Sequence, residues 1–205
     1  MTDPLDVAGP NPWQTRSSHL IYDDGRLRIR EDQVIQPDGE PGRYSYVEVP
    51  RPVVAIVPVD DAGHVHLVRQ WRYPWRRNSW EVPAGVGEGD EAPLDAARRE
   101  LAEEVGLHAA FWESLGSGYS SATLDARWHL YLARGLSAAG DGFKRDGAER
   151  DLIARRVLLA DAVEAALSGR IEHAMCVVAL LRAARRLGML GGVTALNVDP
   201  SAAQC

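Results

Sequence analysis

The sequence predicts an α+β fold with a small N-terminal antiparallel strand region. Short segments in which apolar and polar residues alternate predict strands, and three longer segments have the periodicity of helices. The two types mix without a regular strand–helix–strand repeat, which argues against a parallel α/β sheet. The chain has 205 residues, 45% hydrophobic and 25% charged, an ordinary composition for one globular domain with a sizeable core.

The N-terminal 50 residues divide into a tail and a strand region. Residues 1–17 are rich in Pro, Asp and Asn, which predicts a flexible tail. Residues 18–50 contain the alternating segments Leu27–Arg30 and Tyr44–Val49, separated by clusters of Asp, Gly and Pro that favour turns. This region therefore predicts a small antiparallel sheet.

The main domain, predicted over residues 51–190, begins with two strands. Val53–Val57 is continuously apolar, as expected of a strand buried on both faces, whereas His64–Arg72 alternates. The turn sequence Asp60–Gly63 lies between them and predicts that they pair as a hairpin. Three glycines in Pro83–Gly89 then predict a loop.

Helical periodicity begins near Ala92 and continues to Val105. Pro93 suits the first turn of this helix, and Gly106 is placed to end it. Beyond it the patterns predict strands at 112–116 and 128–133, a polar loop at 140–150, helices at 161–167 and 171–187, and a flexible tail at 191–205. Cys176 lies in the last helical run, where we expect it to be part of the core.

Composition and charge exclude several classes of protein. The chain has 29 acidic and 23 basic residues, which disfavours nucleic-acid binding through a general basic surface. Two cysteines cannot form a disulfide framework, and the acidic N-terminus lacks the apolar core of a signal peptide. No apolar run reaches the ~18 residues of a membrane span. We therefore expect a cytoplasmic protein that binds neither nucleic acid nor membrane.

The acidity is concentrated in one segment. Between Glu81 and Glu104 there are eight acidic residues and two arginines, an excess of six that equals the net charge of the chain, −6. Glu100, Glu103 and Glu104 fall on one arc of the predicted helix, where their charges repel one another. Carboxylate oxygens are the ligands of hard divalent cations, so the cluster indicates a metal site. Taken alone, these three residues also fit a solvated helix face.

The neighbouring residues favour the metal site. Nine residues within 23 positions share one characteristic spacing: Gly85, Glu91, Arg99, Glu100, Leu101, Glu103, Glu104, Gly106 and Leu107. This pattern resembles the signature of the Nudix hydrolase family. The resemblance implies the Nudix fold, a mixed β-sheet sandwiched between helices, which holds Mg²⁺ or Mn²⁺ against a diphosphate linked to another group.

The resemblance also implies a role for each part of the motif. The expected metal ligands are three carboxylates and one backbone carbonyl, from Glu100, Glu103, Glu104 and Ala84 or Gly85. Catalytic work is expected of Glu103 and Glu104, because metal ions held there would act on the attacking water and the phosphate. The structural positions, which brace the loop on the helix, are Gly85, Glu91, Arg99 and Gly106.

Residues outside the motif resemble the ADP-ribose and nucleoside-diphosphate-sugar pyrophosphatase branch of the family. Gln70–Tyr73 and Trp80–Gly85 are similar to that branch's approach to the motif. The N-terminal strands are similar to the region with which the branch forms a homodimer and a shared substrate site. Ala148–Leu152 is similar to a loop that carries a catalytic glutamate, for which Glu149 is the matching position and Asp151 the alternative.

Several further residues are candidates for contact with the substrate. Arg72 is a candidate for binding a phosphate, with an ordinary surface strand position as the alternative. Glu81 is a candidate for contact with the substrate or with a residue that touches it. Three tryptophans either stack a nucleobase or belong to the edge of the core: Trp71, Trp75 and Trp80. His173 heads an apolar helix and is predicted to be structural.

The sequence thus predicts a divalent-metal-dependent pyrophosphatase. It would cleave ADP-ribose or a related nucleoside-diphosphate sugar to a nucleoside monophosphate and a sugar phosphate. ADP-ribose-specific members of the branch carry a proline downstream of the motif, whereas residues 108–130 contain none, so another sugar nucleotide fits equally well. The alternatives are a sensor that binds a nucleotide sugar without cleaving it and a pyrophosphatase that removes damaged nucleoside triphosphates.

Overall fold

The computed structural model describes residues 9–140 and 151–190. The predicted tail at 191–205 and most of the predicted polar loop, including Glu149, lie outside the described residues. The elements follow one another as β1 (Gln14–Asp23), β2 (Arg28–Ile35), β3 (Pro41–Glu48), β4 (Val53–Pro58), β5 (His64–Arg72), β6 (Arg77–Glu81), β7 (Ala84–Val86), α1 (Pro93–Val105), β8 (Leu107–Gly118), β9 (Leu124–Asp125), β10 (Trp128–Ala138), β11 (Ile153–Leu158), α2 (Leu159–Leu167) and α3 (Ala174–Arg186).

The N-terminal strands form the predicted antiparallel sheet. Its strand order is β1-β2-β3-β9, with the short β9 parallel to β3. β1 begins at Gln14, so it includes the last four residues of the segment predicted as a tail. All ten residues of β1 are exposed, and β1 is an edge strand of this sheet.

The central sheet lies between helices and has the order β7-β4-β10-β8. β4 is parallel to β10 and antiparallel to β7, so the sheet is mixed. Side chains of a strand point alternately to its two faces. Accordingly, Val54 and Ile56 pack against α1, whereas Ala55 and Val57 belong to the larger cluster that contains α2 and α3. This arrangement confirms the predicted α+β fold with a mixed sheet sandwiched between helices.

The predicted hairpin of β4 and β5 is wrong. The two strands share one isolated bridge, between Val59 and Val65, and then enter different sheets. Both edges of β4 are already paired, one with β7 and the other with β10, so no edge remains for β5. β5 instead forms a third sheet, in which it lies between β11 and β6.

The predicted glycine-rich loop is also partly wrong, because Ala84–Val86 forms the strand β7. β7 pairs with β4 through Val53, Val54 and Ala55. The strand is three residues long and contains a glycine, so its sequence alone lacks the alternation that indicates a strand. Its place in the sheet depends on pairing with a distant segment.

α1 begins and ends close to where the sequence predicts. Pro93 occupies its first turn, and Gly106 ends it in the left-handed region, with φ 72°. The Gly106 backbone N–H donates to the Ala102 carbonyl at 2.9 Å, which closes the last turn. Of the helices in the described ranges, none is both long and apolar enough to cross a membrane.

Candidate active site

The carboxylates of α1 contact the backbone of β7 directly. Glu104 is 1% exposed, and its Oε2 accepts a hydrogen bond from the Ala84 N–H at 2.9 Å. A Cβ at Gly85 would overlap the Glu100 carboxylate, so the glycine permits the close approach of strand and helix. β7 and α1 therefore meet where the predicted metal ligands lie. Glu104 and Glu100 of the helix contact Ala84 and Gly85 of the strand, the two positions predicted to supply a backbone carbonyl.

Arg99 connects the carboxylates of the motif to one another. Its guanidinium donates to Glu103 at 2.8 Å, to Glu100 at 3.0 Å and to Glu91 at 3.1 Å. It also donates to the Val86 carbonyl of β7 at 3.1 Å. Burial alone would lower the pKa of Arg99, but its carboxylate partners raise it above its ordinary value. The structure thus brings Arg99 and Glu91 together as a brace between loop and helix.

A cavity of about 480 Å³ is lined by side chains of both charges. Its carboxylates include Glu100, Glu103 and Glu104, which lie on α1 together with Arg99. Three arginines from other parts of the chain also line it: Arg26 and Arg51 from loops, and Arg72 from the end of β5. The sequence predicts a phosphate contact for Arg72 and none for Arg26 or Arg51. Each of these two is one arginine among many, and only the folded chain shows that they share a cavity with the motif.

Arg72 forms a buried ion pair with Glu81. Its Nε donates to Glu81 Oε1 at 2.8 Å and its Nη2 donates to Oε2 at 2.5 Å, so the pair is bidentate. The Glu81 side chain has no exposed surface, whereas that of Arg72 is 30% exposed. Burial alone would raise the pKa of Glu81, but hydrogen bonds from Arg72 and His173 lower it to about 2. Glu81 therefore contacts Arg72 and not the cavity itself.

His173 is the third member of this cluster. Its Nδ1 lies 2.7 Å from Glu81 Oε2, and its ring meets Trp75 edge to face with centroids 5.5 Å apart. An ionised carboxylate only accepts hydrogen bonds, so Nδ1 carries the proton and donates. The sequence predicts a structural role for His173 at the head of a helix, and it gives no sign of the link to Glu81 because 92 residues separate the two.

Glu81, His173 and Cys176 bring three potential metal-ligand atoms within 4.8 Å of one another. Two features argue against an ion there. Both Glu81 oxygens already accept hydrogen bonds from Arg72, whose positive charge a cation would have to displace. Burial raises the pKa of the Cys176 thiol well above its ordinary value, and the protonated thiol is a poor ligand. The cluster fits a hydrogen-bond network better than a metal centre.

A second cavity, of about 410 Å³, adjoins the first. Most of its lining is apolar or aromatic, including Trp75 and Trp128, and His173 also lines it. The two cavities share Arg72 and the strand β7, so Arg72 stands where they meet. The other two candidate tryptophans lie elsewhere. Trp71 is 51% exposed, and Trp80 packs under Arg155, whose guanidinium carbon is 5.0 Å from the ring centroid.

The predicted catalytic acid of the loop before β11 is Glu149, with Asp151 as the alternative. Glu149 lies outside the described residues, and its alternative, Asp151, is exposed two residues before β11. The described part of the site has a defined chemistry. The carboxylate oxygens in the cavity suit divalent cations, and its arginines suit phosphate oxygens.

Comparisons with known proteins agree with this chemistry. Residues 49–176 match the NUDIX domain, and residues 13–47 match the nucleoside diphosphate sugar hydrolase N-terminal domain. An ADP-ribose pyrophosphatase of Mycobacterium tuberculosis is 33% identical over 175 residues, 82% of either chain. An ADP-ribose pyrophosphatase of Bacillus subtilis is 30% identical over 169 residues, 82% of this chain and 90% of the relative.

A solved structure described as an ADP compounds hydrolase shares the fold. Its TM-score is 0.75 at 20% identity, and the match covers 89% of this chain and 100% of that one. The domain match spans the central sheet and the motif, and each of the two enzymes matches 82% of this chain. The chain therefore belongs to the Nudix family and is a Nudix pyrophosphatase.

Proposed function

We propose that the protein hydrolyses the pyrophosphate bond of ADP-ribose or a related nucleoside-diphosphate sugar, giving a nucleoside monophosphate and a sugar phosphate. One observation carries the proposal: a single cavity is lined by the motif carboxylates and by Arg26, Arg51 and Arg72. A diphosphate is an anion that can bind both to metal ions held by carboxylates and to guanidinium groups. The two relatives named ADP-ribose pyrophosphatases support this substrate class.

Arg51 gives independent support for an anionic ligand. Its Nε is buried and has no hydrogen-bond partner in the part of the chain that the structure describes. Its Nη2 donates to the Gly25 carbonyl at 3.3 Å, and the residue lines the cavity. An unsatisfied buried donor costs roughly 1–3 kcal/mol. The positive charge of this guanidinium would attract a phosphate group in the cavity.

Mg²⁺, or Mn²⁺ in its place, is the proposed cofactor. The residues present fit such an ion, because the expected donors are all oxygens and the glycine at 85 lets Glu100 approach the β7 backbone. Glu100, Glu103, Glu104 and the Ala84 carbonyl would hold it. When bound, the ion offsets negative charge on the phosphate and lowers the pKa of a bound water.

The chain's own residues then bind and orient the substrate. Arg72, held by Glu81, binds a phosphate oxygen at the junction of the two cavities. The group beyond the diphosphate extends into the apolar cavity beside Trp75. A water oxygen attacks one phosphorus, the bridging P–O bond breaks, and the leaving phosphate keeps the electron pair. Glu149, or Asp151 in the alternative, accepts the proton of that water.

We propose that the protein is a cytoplasmic homodimer, with residues 18–50 as the dimerising region and residues 51–190 as the catalytic domain. Support comes from β1, an edge strand whose ten residues are all exposed and include Leu20, Ile21 and Tyr22. Exposed apolar edge strands favour pairing with another chain. A second copy of the same strand is the simplest partner, because most oligomers are symmetric.

The test is a panel of substrates assayed with and without Mg²⁺. ADP-ribose, ADP-glucose, GDP-mannose, NADH and deoxynucleoside triphosphates are incubated with the protein, and products are separated by ion-exchange chromatography. We expect metal-dependent release of a nucleoside monophosphate from at least one nucleotide sugar, with ADP-ribose the first choice. A Glu103→Gln variant tested in parallel should be inactive on the same substrate.

Two outcomes would contradict the proposal. Cleavage of deoxynucleoside triphosphates alone would favour the housecleaning pyrophosphatase. Binding of a nucleotide sugar by calorimetry, with no product at any metal concentration, would favour the sensor. The complete set of motif carboxylates favours hydrolysis over the sensor, because binding alone does not require every metal ligand.

A further inference from the structure

The side chain at the start of α3 does not cap its own helix. His173 is the N-cap residue of α3, yet its side chain makes no capping hydrogen bond. N-cap positions favour Ser, Thr, Asp and Asn, whose short side chains accept from the first free N–H groups of the helix. The His173 ring instead reaches Glu81 on β6, with Nδ1 2.7 Å from Oε2. His173 therefore contacts the buried carboxylate of Glu81 instead of making a capping hydrogen bond.

That contact adds a further hydrogen bond to the carboxylate that holds Arg72. Glu81 Oε1 accepts from Arg72 Nε, while Oε2 accepts from both Arg72 Nη2 and His173 Nδ1. A carboxylate held by one guanidinium can rotate together with it. A second partner, whose ring also packs edge to face on Trp75, opposes such a rotation. The direction of a bidentate arginine follows the plane of its carboxylate, so a constraint on Glu81 is also a constraint on Arg72.

We propose that His173 is a positioning residue, which acts through Glu81 to hold Arg72 at the junction of the two cavities. His173 is the step between α3 and the substrate-binding arginine, and it needs no contact with the reacting atoms. The effect on catalysis rests on the proposed function, in which Arg72 binds a phosphate. The effect on Arg72 itself is a property of the protein alone and can be measured without substrate.

Two variants separate this role from that of a helix cap. His173→Ser keeps a favourable N-cap side chain but cannot reach Glu81. His173→Asn also keeps a favourable N-cap, and its amide nitrogen lies close to where the ring Nδ1 was, so it can still donate to Glu81. A merely structural role predicts that both variants behave alike. A positioning role predicts that His173→Asn keeps Arg72 held in place, whereas His173→Ser does not.

The first measurement follows the Arg72 Nε–H group by ¹⁵N–¹H NMR, assigned by its absence in Arg72→Lys. We expect a sharp, slowly exchanging signal in the wild type and in His173→Asn. In His173→Ser we expect hydrogen exchange at least about tenfold faster, or loss of the signal, in a protein that still melts cooperatively. An unchanged Arg72 signal in His173→Ser, or equal loss in both variants, would overturn the proposal.

The second measurement is steady-state kinetics on the substrate that the panel identifies. For His173→Ser we expect KM to rise about tenfold with kcat within about threefold, because a misplaced Arg72 weakens binding in ground and transition states alike. His173→Asn should stay within about threefold of the wild type in both constants. Equal KM values for His173→Ser and the wild type would overturn the proposal. If the wild type cleaves nothing, the proposed function fails and the NMR result alone decides the role of His173.

Discussion

At the scale of single residues, the site depends on buried charges that are held by partners. Glu81 is fully buried and ionised because Arg72 and His173 donate to it, and Glu104 is nearly buried and accepts from the β7 backbone. A buried charge without such partners would be very costly. Replacing either carboxylate therefore affects the stability of the fold as well as catalysis. The choice of substitution can separate these two effects.

We expect the stability that Glu81 contributes to depend on pH. Its pKa is lowered from 4.5 to about 2 in the folded protein, so its contribution is complete above about pH 5 and is lost as the pH falls towards 2. The pH-dependent part amounts to at most about 3 kcal/mol. Urea unfolding of the wild type and Glu81→Gln at pH 7, 5, 4 and 3 measures it. The free-energy difference between the two proteins should shrink with acidity.

The control for this comparison is Glu164→Gln, on the exposed side of α2. That substitution should give a small difference from the wild type that is similar at each pH. A difference for Glu81→Gln that stays constant from pH 7 to pH 3 would contradict the assigned ion pair.

For Glu104→Gln we expect a loss of turnover of at least ~100-fold with little change in melting temperature. The amide oxygen can still accept from the Ala84 N–H, so the contact between α1 and β7 survives. The negative charge expected to bind the metal ion is lost, and such charge stabilisation accounts for rate factors of this size. Asp95→Asn, an exposed acid on the same helix, is the matched control. Turnover of Glu104→Gln close to that of the control would exclude the metal role.

At the scale of elements, the meeting of β7 and α1 determines the site. β7 supplies backbone groups at Ala84 and Val86, and α1 supplies the carboxylates and the bracing Arg99. Gly85 lets the two approach, because its missing side chain leaves room for Glu100. A short strand with almost no side-chain signal is thus as important to the site as the helix that carries the motif.

Gly85→Ala tests this contact. The added Cβ would overlap the Glu100 carboxylate, so strand and helix must separate or Glu100 must move. We expect a loss of about 1–3 kcal/mol in unfolding free energy and a strong loss of turnover. Gly9→Ala is the control, because no atom lies within 4 Å of a Cβ built there. Chemical unfolding gives the stability of each variant, and the kinetic assay gives its turnover. Equal unfolding free energies and equal turnover for Gly85→Ala and Gly9→Ala would show that the close approach is unimportant.

The elements differ in how well the sequence predicts them. α1 was predicted within one residue because its signals, Pro93, the periodicity and Gly106, are local. The predicted hairpin is wrong because β4 pairs with β10. In this pairing Val53 lies opposite Trp128, 75 residues further along the chain. No local sequence pattern indicates so distant a partner. β8 extends over Leu107–Gly118, well beyond the predicted 112–116, because its long pairing with β10 sustains it.

The same distinction applies to the site. The motif residues could be found from the sequence because one continuous segment of 23 residues, from β7 through α1 to the start of β8, carries them all. Arg26, Arg51 and His173 come from other parts of the chain, and only tertiary packing brings them to the cavities. His173 was predicted to be structural from its position at the head of a helix, and its ring contact with Glu81 has no sequence signature.

At the scale of the whole molecule, the acidic excess and the exposed sheet edge lie in different regions. The segment from Glu81 to Glu104 carries the excess of six acidic charges, and four of its eight acids line the cavity: Glu88, Glu100, Glu103 and Glu104. The N-terminal sheet presents Leu20 and Ile21 on β1, with 51% and 62% of their surfaces exposed. Cations bound to the acidic segment would make it attractive to an anionic substrate. The exposed edge of the N-terminal sheet suits contact with another copy of the chain.

We expect the wild type to have about twice the monomer mass of 22.4 kDa in light scattering coupled to size-exclusion chromatography. Ile21→Lys places a charge on the exposed edge strand and should weaken dimerisation at least tenfold, shifting the mass towards the monomer. Leu167→Lys is the matched control, because Leu167 is equally exposed at 62% but lies on α2. A monomeric wild type, or equal masses for the two variants, would exclude β1 as the dimer contact.

The position of β7 in its sheet has one more consequence. β7 is the outermost strand of the central sheet, and its free side faces the motif, where Glu104 accepts from Ala84 and Arg99 donates to Val86. Uncovered strand edges promote aggregation, and proteins protect them with charge or with a covering element. Here two side chains of the motif, Glu104 and Arg99, are themselves that cover. Truncating them would therefore expose a strand edge that promotes aggregation, besides changing the proposed metal site.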